Sequence, residues 1–420
     1  MKRRDVLELL TAGGAGTLFG CHPRPVGSGR GERVSRTPRA HLRTNWSRDP
    51  YALGAYSYVS RRSPGTGESD KALLGAPVGG RLHFAGEALN PRYAGTVHAA
   101  HESGLRAARR LREAGHARVA VIGAGMAGLT AASTLSAAGV RVTVFEARDR
   151  IGGRILTDGS LGTPVDLGAS WIHGPEGNPL SALADRAGAA RDETDDTLVI
   201  RGAGGRRIRQ LGAPDWLERV IEETPAGVSL GELNAAYFSE IFPAVGLGYP
   251  GRDVTLREGY ASLLEVLAGD YEVRLSSPVG VVSLAGESVR VTVEGGDGGS
   301  FDAALVTVPL GVLKAGTLAF DPPLPAATRG AIERMGMGLL DKLYLRFDDV
   351  FWDDATVILT PENGLPRGHF NYWVNFDRIL GAPLLMAFHG AGPAHELAGR
   401  TDAELLAMAQ ETLERAYLAA

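Results

Sequence analysis

The sequence predicts an α/β fold built around a parallel β-sheet, and three observations carry that prediction. Residues 118–150, RVAVIGAGMAGLTAASTLSAAGVRVTVFEARDR, set an apolar run, a glycine-rich turn, a small-residue helix and a second apolar run in order. Leu343, Leu345 and Phe347 alternate with more polar neighbours, as a half-buried strand would. The chain has 420 residues, enough for two or three domains and a large core.

The first stretch is justified part by part. Residues 119–122 form a short apolar run expected to be a buried parallel strand. Gly123, Gly125 and Gly128 make G-x-G-x-x-G, and residues 126–138 read as a helix of small residues. The first glycine permits the tight turn, the second lets backbone approach a pyrophosphate, and the third lets helix and strand pack closely. The helix N-terminus offers free N–H groups and positive dipole to phosphates. Residues 142–145 form the second strand, and Glu146 ends it where a carboxylate can bind a ribose. NAD and FAD both use this unit. The following residues, Arg148 and then Arg150-Ile151-Gly152-Gly153-Arg154, extend it to E-A-R-x-R-x-G-G-R. That arm resembles the FAD-binding arm of the flavin amine oxidases. The resemblance implies that Gly153 approaches FAD, and that Arg148 and Arg154 neutralise its pyrophosphate or brace the loop.

Composition adds exclusions. A net charge of -4 gives no reason to propose a nucleic-acid partner. Cys21 is the one cysteine, which excludes an intrachain disulfide and a cysteine-based metal site, and no metal site is expected. The N-terminus, MKRRDVLELLTAGGAGTLFGC, pairs Arg3 with Arg4 ahead of a modest apolar stretch that ends at Cys21. It resembles a twin-arginine export signal closed by a lipoprotein-type box, with Phe19 unusual there. This implies export to the periplasm or cell envelope, with a lipid anchor at Cys21. The apolar stretch is too short to span a bilayer. Residues 23–39 are rich in Pro, Gly, Ser and Arg, as a linker would be.

Further motifs extend the amine oxidase resemblance over nearly everything after about residue 39. Asp166-Leu167-Gly168-Ala169-Ser170-Trp171-Ile172-His173-Gly174 is similar to the flavin-ring loop of polyamine oxidases. There Gly168, Ala169, Ser170 and Trp171 would run beside the ring, and His173 would face the substrate amine. Residues 271–281 and 288–293 read as strands, with Val279 at the position that meets adenine in relatives. Residues 306–314 resemble the crossover to the substrate domain, and Lys314 reads as a surface residue. Residues 337–352 resemble the segment whose lysine holds a water against flavin N5, which assigns that role to Lys342. Burial would lower its pKa and suit it to proton handling.

Three more motifs precede the glycine-rich turn. Residues 46–59 resemble W-x-x-D-P-x-x-x-G-S-Y-S-Y, whose tyrosine lines the substrate side of the flavin. Tyr58 is chosen over Tyr56, although alternation sets both on one face. Phe84-Ala85-Gly86-Glu87 is similar to the second phosphate or ribityl contact, given by Glu87. Gly95-Thr96-Val97-His98 opens a helix whose N–H groups, at Thr96 and Val97, would meet the flavin pyrimidine. Thr96 stands where monoamine oxidases place a second cage tyrosine, and its small size is similar to the polyamine oxidase branch.

The resemblance implies an FAD-binding Rossmann-like domain plus a substrate domain of helices on a mixed β-sheet. The expected division is an export signal over 1–21, a linker over 22–39, and a substrate-domain segment over 40–80. FAD-binding segments follow at 81–175 and 256–310, and substrate segments at 176–255 and 311–420. The implied reaction is FAD-dependent oxidation of a polyamine or related amine, with hydride passing to flavin N5. The imine hydrolyses to an aldehyde, and O2 becomes H2O2. The rival enzyme is an L-amino acid oxidase, which would need a pocket arginine for the carboxylate. A flavin-binding protein without turnover is a rival of another class. Glu222 and Glu223 read as helix-surface charges. The Tyr-Ser-Tyr and Gly-Glu motifs normally follow the dinucleotide fold and here precede it, so the order is circularly permuted relative to the family. Permutation predicts that all motifs converge on one site, that residues 113–117 bridge helix to strand, and that the end of the chain returns to residues 40–44.

Overall fold

The five strands Glu272–Arg274, Arg141–Phe145, Arg118–Ile122, Ala303–Val306 and Leu82–Phe84 lie side by side in that order, all parallel. This is a computed structural model, and it describes residues 36–209, 213–242 and 248–417. The export motif, Cys21 and residues 22–35 of the linker lie outside the described residues, as do residues 418–420. Both faces of the parallel sheet are covered, which is why its strands read as continuous apolar runs. On one face Val119, Val121, Val142 and Val144 pack against Leu129, Ala132 and Leu135 of the helix Met126–Ala137. On the other, Ala120, Ile122, Ala304 and Val306 meet Val282, Val289 and Val291 of a four-stranded sheet. Each fully buried valine side chain contributes roughly 1.5–3 kcal/mol.

Leu82–Phe84 and the helix Val97–Glu113 precede the glycine-rich turn in sequence, yet both belong to this layer. A Cβ at Gly104 would run into the Ala127 carbonyl, so the two helices touch through backbone. Four residues, 114–117, then reach the strand Arg118–Ile122, and Asp302 accepts the N–H groups of Ala117 and Arg118 at 3.0 and 2.9 Å.

The run 271–281 is two strands in different sheets, not one. Glu272–Arg274 closes the parallel sheet, and Val279–Ala285 opens the four-stranded one. Pro278 has no N–H to offer a ladder, and Ser276 turns the chain at φ 48°. Ala319–Asp321 pairs with residues 281–283, so this region extends beyond the expected limit at 310.

The second sheet has seven strands, ordered Ala40–Arg43, Leu340–Arg346, Leu384–Gly390, Tyr372–Asn375, Val357–Leu359, Leu198–Arg201 and Arg207–Ile208. It is mixed, since Val357–Leu359 runs parallel to Leu198–Arg201 and the other pairs are antiparallel. The strand Leu340–Arg346, second from one edge, is buried on both faces, where alternation had suggested one. Leu343 and Leu345 face Leu405, Ala409 and Leu413 of the helix Asp402–Tyr417. Tyr344 faces Leu161, Val165 and Leu167.

Residues 36–45 run along the C-terminal helix and the turn before it. His41 Nε2 lies 3.1 Å from Asp402, Arg43 donates to Arg400 O at 2.8 Å, and Asn45 to Ala398 O at 2.9 Å. Arg36 and Tyr417 both contact Phe351, at 5.5 and 5.8 Å from its ring centre. Residues 82–84 pair into the parallel sheet and residues 56–58 pair with 336–338, so residues 44–110 do not form a separate domain. Among the described residues no helix is long and apolar enough to cross a membrane.

Candidate active site

The glycine-rich turn is built as its spacing requires. Gly123 sits at φ 107°, and a side chain at Gly128 would strike the Gly123 carbonyl, so strand and helix meet backbone to backbone. Thr307, on the neighbouring crossover, fastens the turn by donating to Ile122 O at 2.9 Å and Gly123 O at 3.0 Å. The helix Met126–Ala137 has Gly125 at its N-cap with no side-chain cap. Its first N–H groups therefore open onto a cradle whose floor is glycine. An added Cβ at Gly125 would first meet Gly152 O at 3.9 Å, and one at Gly153 would meet Gly125 Cα at 3.6 Å. An uncapped helix N-terminus over a side-chain-free cradle fits the pyrophosphate of a dinucleotide. Glu146 is buried at the end of the second strand, accepting N–H groups from Ala124 at 2.7 Å and Arg148 at 3.0 Å. Residues 276 and 277 donate to Arg148 O and Glu146 O, which brings Val279 to this end of the cradle.

The arginines of the arm brace it. Arg148 pairs with Asp49 at 2.7 Å and covers Tyr51. Arg150 donates to Ile151 O, Gly153 O and Ile155 O. Arg154 donates to Ala55 O and to Glu87 Oε1, both at 2.9 Å. Of the two roles the resemblance allowed, bracing is the one these contacts make. Glu87 is fully engaged by protein: Ser57 N and Oγ, Gly95 N and Arg154 all donate to it. Its carboxylate is a buried hub joining the arm to the Tyr-Ser-Tyr strand. Removing one partner of such a buried pair costs on the order of 3–5 kcal/mol.

The loop 166–174 runs against this arm. A Cβ at Gly168 would collide with Arg154 O, and Ala169 N donates to the same carbonyl at 3.3 Å, so only small residues fit. Lys342 holds the loop from the other side. Its ammonium donates to Asp166 O at 2.7 Å, Gly168 O at 2.6 Å and Ser170 Oγ at 2.5 Å. Trp171, Tyr344 and Phe388 surround it, with ring centres 5.7–5.9 Å away. Trp171 is itself fixed by Thr194 at 3.1 Å. Burial pushes the Lys342 ammonium down to about 7, with Asp166 opposing, and pushes the Asp166 carboxyl up to about 6. All three ammonium hydrogens are met by loop oxygens, so the charged lysine clamps the loop 166–170 directly. Thr44 and Trp46 complete the surroundings: Thr44 Oγ1 accepts from Lys342 N and donates to Asp341, and Trp46 N donates to Asp341.

At the far end of the loop, His173 Nδ1 lies 2.6 Å from Asp253 Oδ2. His98 is close by and buried, its Nε2 without a hydrogen-bond partner and its ring against Tyr93 and Tyr249. Burial, aided by His173, lowers it to about 3 and keeps it neutral.

Thr96 is the N-cap of the helix Val97–Glu113; its hydroxyl accepts from Ala99 N at 3.2 Å and donates to Tyr93 O at 2.7 Å. Val97 packs half-buried onto the helix layer. Of the two tyrosines, Tyr56 is the one beside Gly95, with its hydroxyl on Pro225 O at 2.6 Å. Tyr58 lies on Gly336 near Glu232 and shares a small cavity with Ala94. Lys314 is exposed, as expected of a surface residue, and donates to Ile332 O, Glu333 O and Met335 O at one helix end. Glu222 and Glu223 line a cavity of about 800 Å³ together with Asp215, Glu218, Trp216, Arg219, Arg367 and Gly390. Gly390 is two residues beyond Phe388 on the same strand, so the cavity lies along the wall from Lys342.

The model of the flavin containing amine oxidoreductase family matches residues 22–112, 126–207 and 207–419. A pyridine nucleotide-disulphide oxidoreductase model matches residues 81–160, the region of the dinucleotide cradle. "Probable polyamine oxidase 4" of Arabidopsis thaliana is 33% identical over 344 residues, covering 68% of each chain. "Polyamine oxidase 4" of Oryza sativa subsp. japonica is 30% identical, over 71% of this chain and 72% of its own. The human "Lysine-specific histone demethylase 2" is 28% identical over 71% of this chain and 43% of its own.

Proposed function

The chain belongs to the flavin containing amine oxidoreductase family and is an FAD enzyme, and on that premise we propose that it oxidises a polyamine or a related amine with O2. The observation that carries this reading is Lys342, buried and clamped on the loop 166–170 beside the glycine cradle. When bound, FAD takes a hydride from the carbon beside the amine nitrogen and passes the electrons to O2, giving hydrogen peroxide. The chain supplies the rest. Gly123, Gly125, Gly128 and Gly153 would admit its pyrophosphate, Glu146 would meet its ribose, and residues 168–171 would hold its ring. Lys342 keeps that loop fixed and can exchange a proton near neutral pH. His173 can accept a hydrogen bond from the amine. The imine leaves to water and hydrolyses to an aldehyde.

The cavity beyond Phe388 favours a cation. Four carboxylates line it against two arginines, and one of those, Arg367, already covers the Trp216 ring at 5.2 Å. A peroxide-coupled assay across polyamines, monoamines and amino acids checks the reading. Polyamines are expected to give the highest kcat/KM. Turnover confined to amino acids would replace it with an L-amino acid oxidase, and no peroxide from any amine with a flavin-binding protein lacking turnover.

We further propose that the motif order is a circular permutation of the family order. The contact of Arg36 and Tyr417 with the same Phe351 supports this, as does the union of residues 46–97 with 118–174 at one site. A chain joined from residue 417 to residue 36 by a short linker, and opened within 114–117, is expected to fold and retain FAD. Failure of that chain to take up FAD, with the parent loaded under the same conditions, would count against permutation.

A further inference from the structure

We propose that Asp253 is a positioning residue, which fixes the His173 imidazole in one tautomer and one orientation toward the amine. This rests on the amine oxidase reading above, in which His173 meets the substrate nitrogen. Backbone pairing brings the two residues together. Ile172 N donates to Val254 O at 2.8 Å and Val254 N to Ile172 O at 3.2 Å, an antiparallel bridge. His173 and Asp253 are the next residues outward on the two sides, so they face each other as a cross-strand pair.

Both oxygens of the Asp253 carboxylate are then used. Oδ2 is 2.6 Å from His173 Nδ1, and Oδ1 accepts Gly174 N at 3.2 Å. The His173 backbone is held as well, its carbonyl accepting Tyr249 N and Asn178 Nδ2, each at 3.1 Å. Burial works to raise the Asp253 carboxyl, but the His173 and Gly174 contacts outweigh it and hold it below the usual range. An ionised carboxylate only accepts hydrogen bonds, so Nδ1 of His173 carries the proton. In the neutral ring the lone pair is then on Nε2, the nitrogen free to accept from an amine. His98, neutral in the same cluster, brings no competing charge.

The test replaces Asp253→Asn in the FAD-loaded enzyme. An amide can donate to Nδ1 as well as accept from it, so both tautomers become accessible. Flavin reduction at saturating amine is expected to slow about 10-fold or more, with amine affinity changed far less, as for loss of an oriented acid–base group. Asp253→Glu, which keeps the acceptor, should recover part of the rate. In a His173→Asn background, Asp253→Asn should add no further loss, because the two act as one unit. A readout independent of turnover is the ¹⁵N spectrum of histidine-labelled protein, with His173 assigned by its loss in His173→Asn. The parent should show the Nδ1-protonated tautomer, and Asp253→Asn a mixture. An unchanged rate and tautomer in Asp253→Asn, with His173→Asn slow, would overturn the positioning role and leave the His173 reading standing. An unchanged rate in His173→Asn would overturn both.

Discussion

Gly125→Val is expected to give a folded protein without flavin colour. Gly125 has ordinary extended backbone and no close neighbour, with Gly152 O at 3.9 Å the nearest atom to an added Cβ. The isolated protein therefore has room for a branched side chain there. The space it would fill is the cradle in front of the uncapped helix, where the FAD pyrophosphate must meet backbone N–H groups. The substitution should weaken FAD binding by at least about 100-fold, or roughly 2.7 kcal/mol. Flavin absorbance per protein and far-UV circular dichroism check this together. A yellow protein with parental FAD content would show that the cradle does not hold the pyrophosphate. Gly128→Val should behave differently, because its side chain meets the Gly123 carbonyl and so breaks helix packing itself.

Lys342→Met is expected to keep FAD and lose turnover by on the order of 10²-fold or more, the typical contribution of a proton-handling group. Methionine preserves the bulk among Trp171, Tyr344 and Phe388 but leaves Asp166 O, Gly168 O and Ser170 Oγ without their donor. Each unsatisfied buried acceptor costs about 1–3 kcal/mol, so melting should also fall. The pH dependence has a definite sign. Lys342 falls from 10.5 to about 7 in the folded state, so the unfolded chain binds the extra proton between those values. Its contribution to stability therefore rises with pH across that window. Asp166 rises from 3.8 to about 6, so there the folded protein holds the extra proton, and stability falls as pH rises between them. A rise of kcat through about pH 7 should be present in the parent and absent in Lys342→Met. Stopped-flow measurement of both half-reactions across pH checks this, and unchanged rates in both would refute the assignment.

The cradle was legible because local chemistry fixes it. A tight turn, a close helix and a backbone approach each demand glycine at a set spacing, so residues 123–128 read true from sequence. The motif carried the burial of Lys342 as an expectation, but not what buries it. The alternation of Leu343, Leu345 and Phe347 reports one face, while the second is covered by residues 161–167, about 180 positions away. Asp253 was invisible for a similar reason. It is a single acid before a strand, and only the pairing of residue 172 with 254 gives it a partner. Thr96 and Glu87 were legible as motif members, while their contacts within the protein were not. Thr96 has the chemistry of a helix cap and serves as one. Glu87 has four donors around it, from Ser57, Gly95 and Arg154.

The placement of residues 40–110 also sets a timetable for biosynthesis. Leu82–Phe84 pairs only with Ala303–Val306, and Ala40–Arg43 only with Leu340–Arg346. On a ribosome these early strands emerge far ahead of their partners. With a lag of about 200–300 residues, at about 5–20 residues per second, they wait roughly 10–60 s with open edges. During that interval they are templates for mispairing with other nascent chains. The arrangement therefore makes completion of the native state a late event in synthesis.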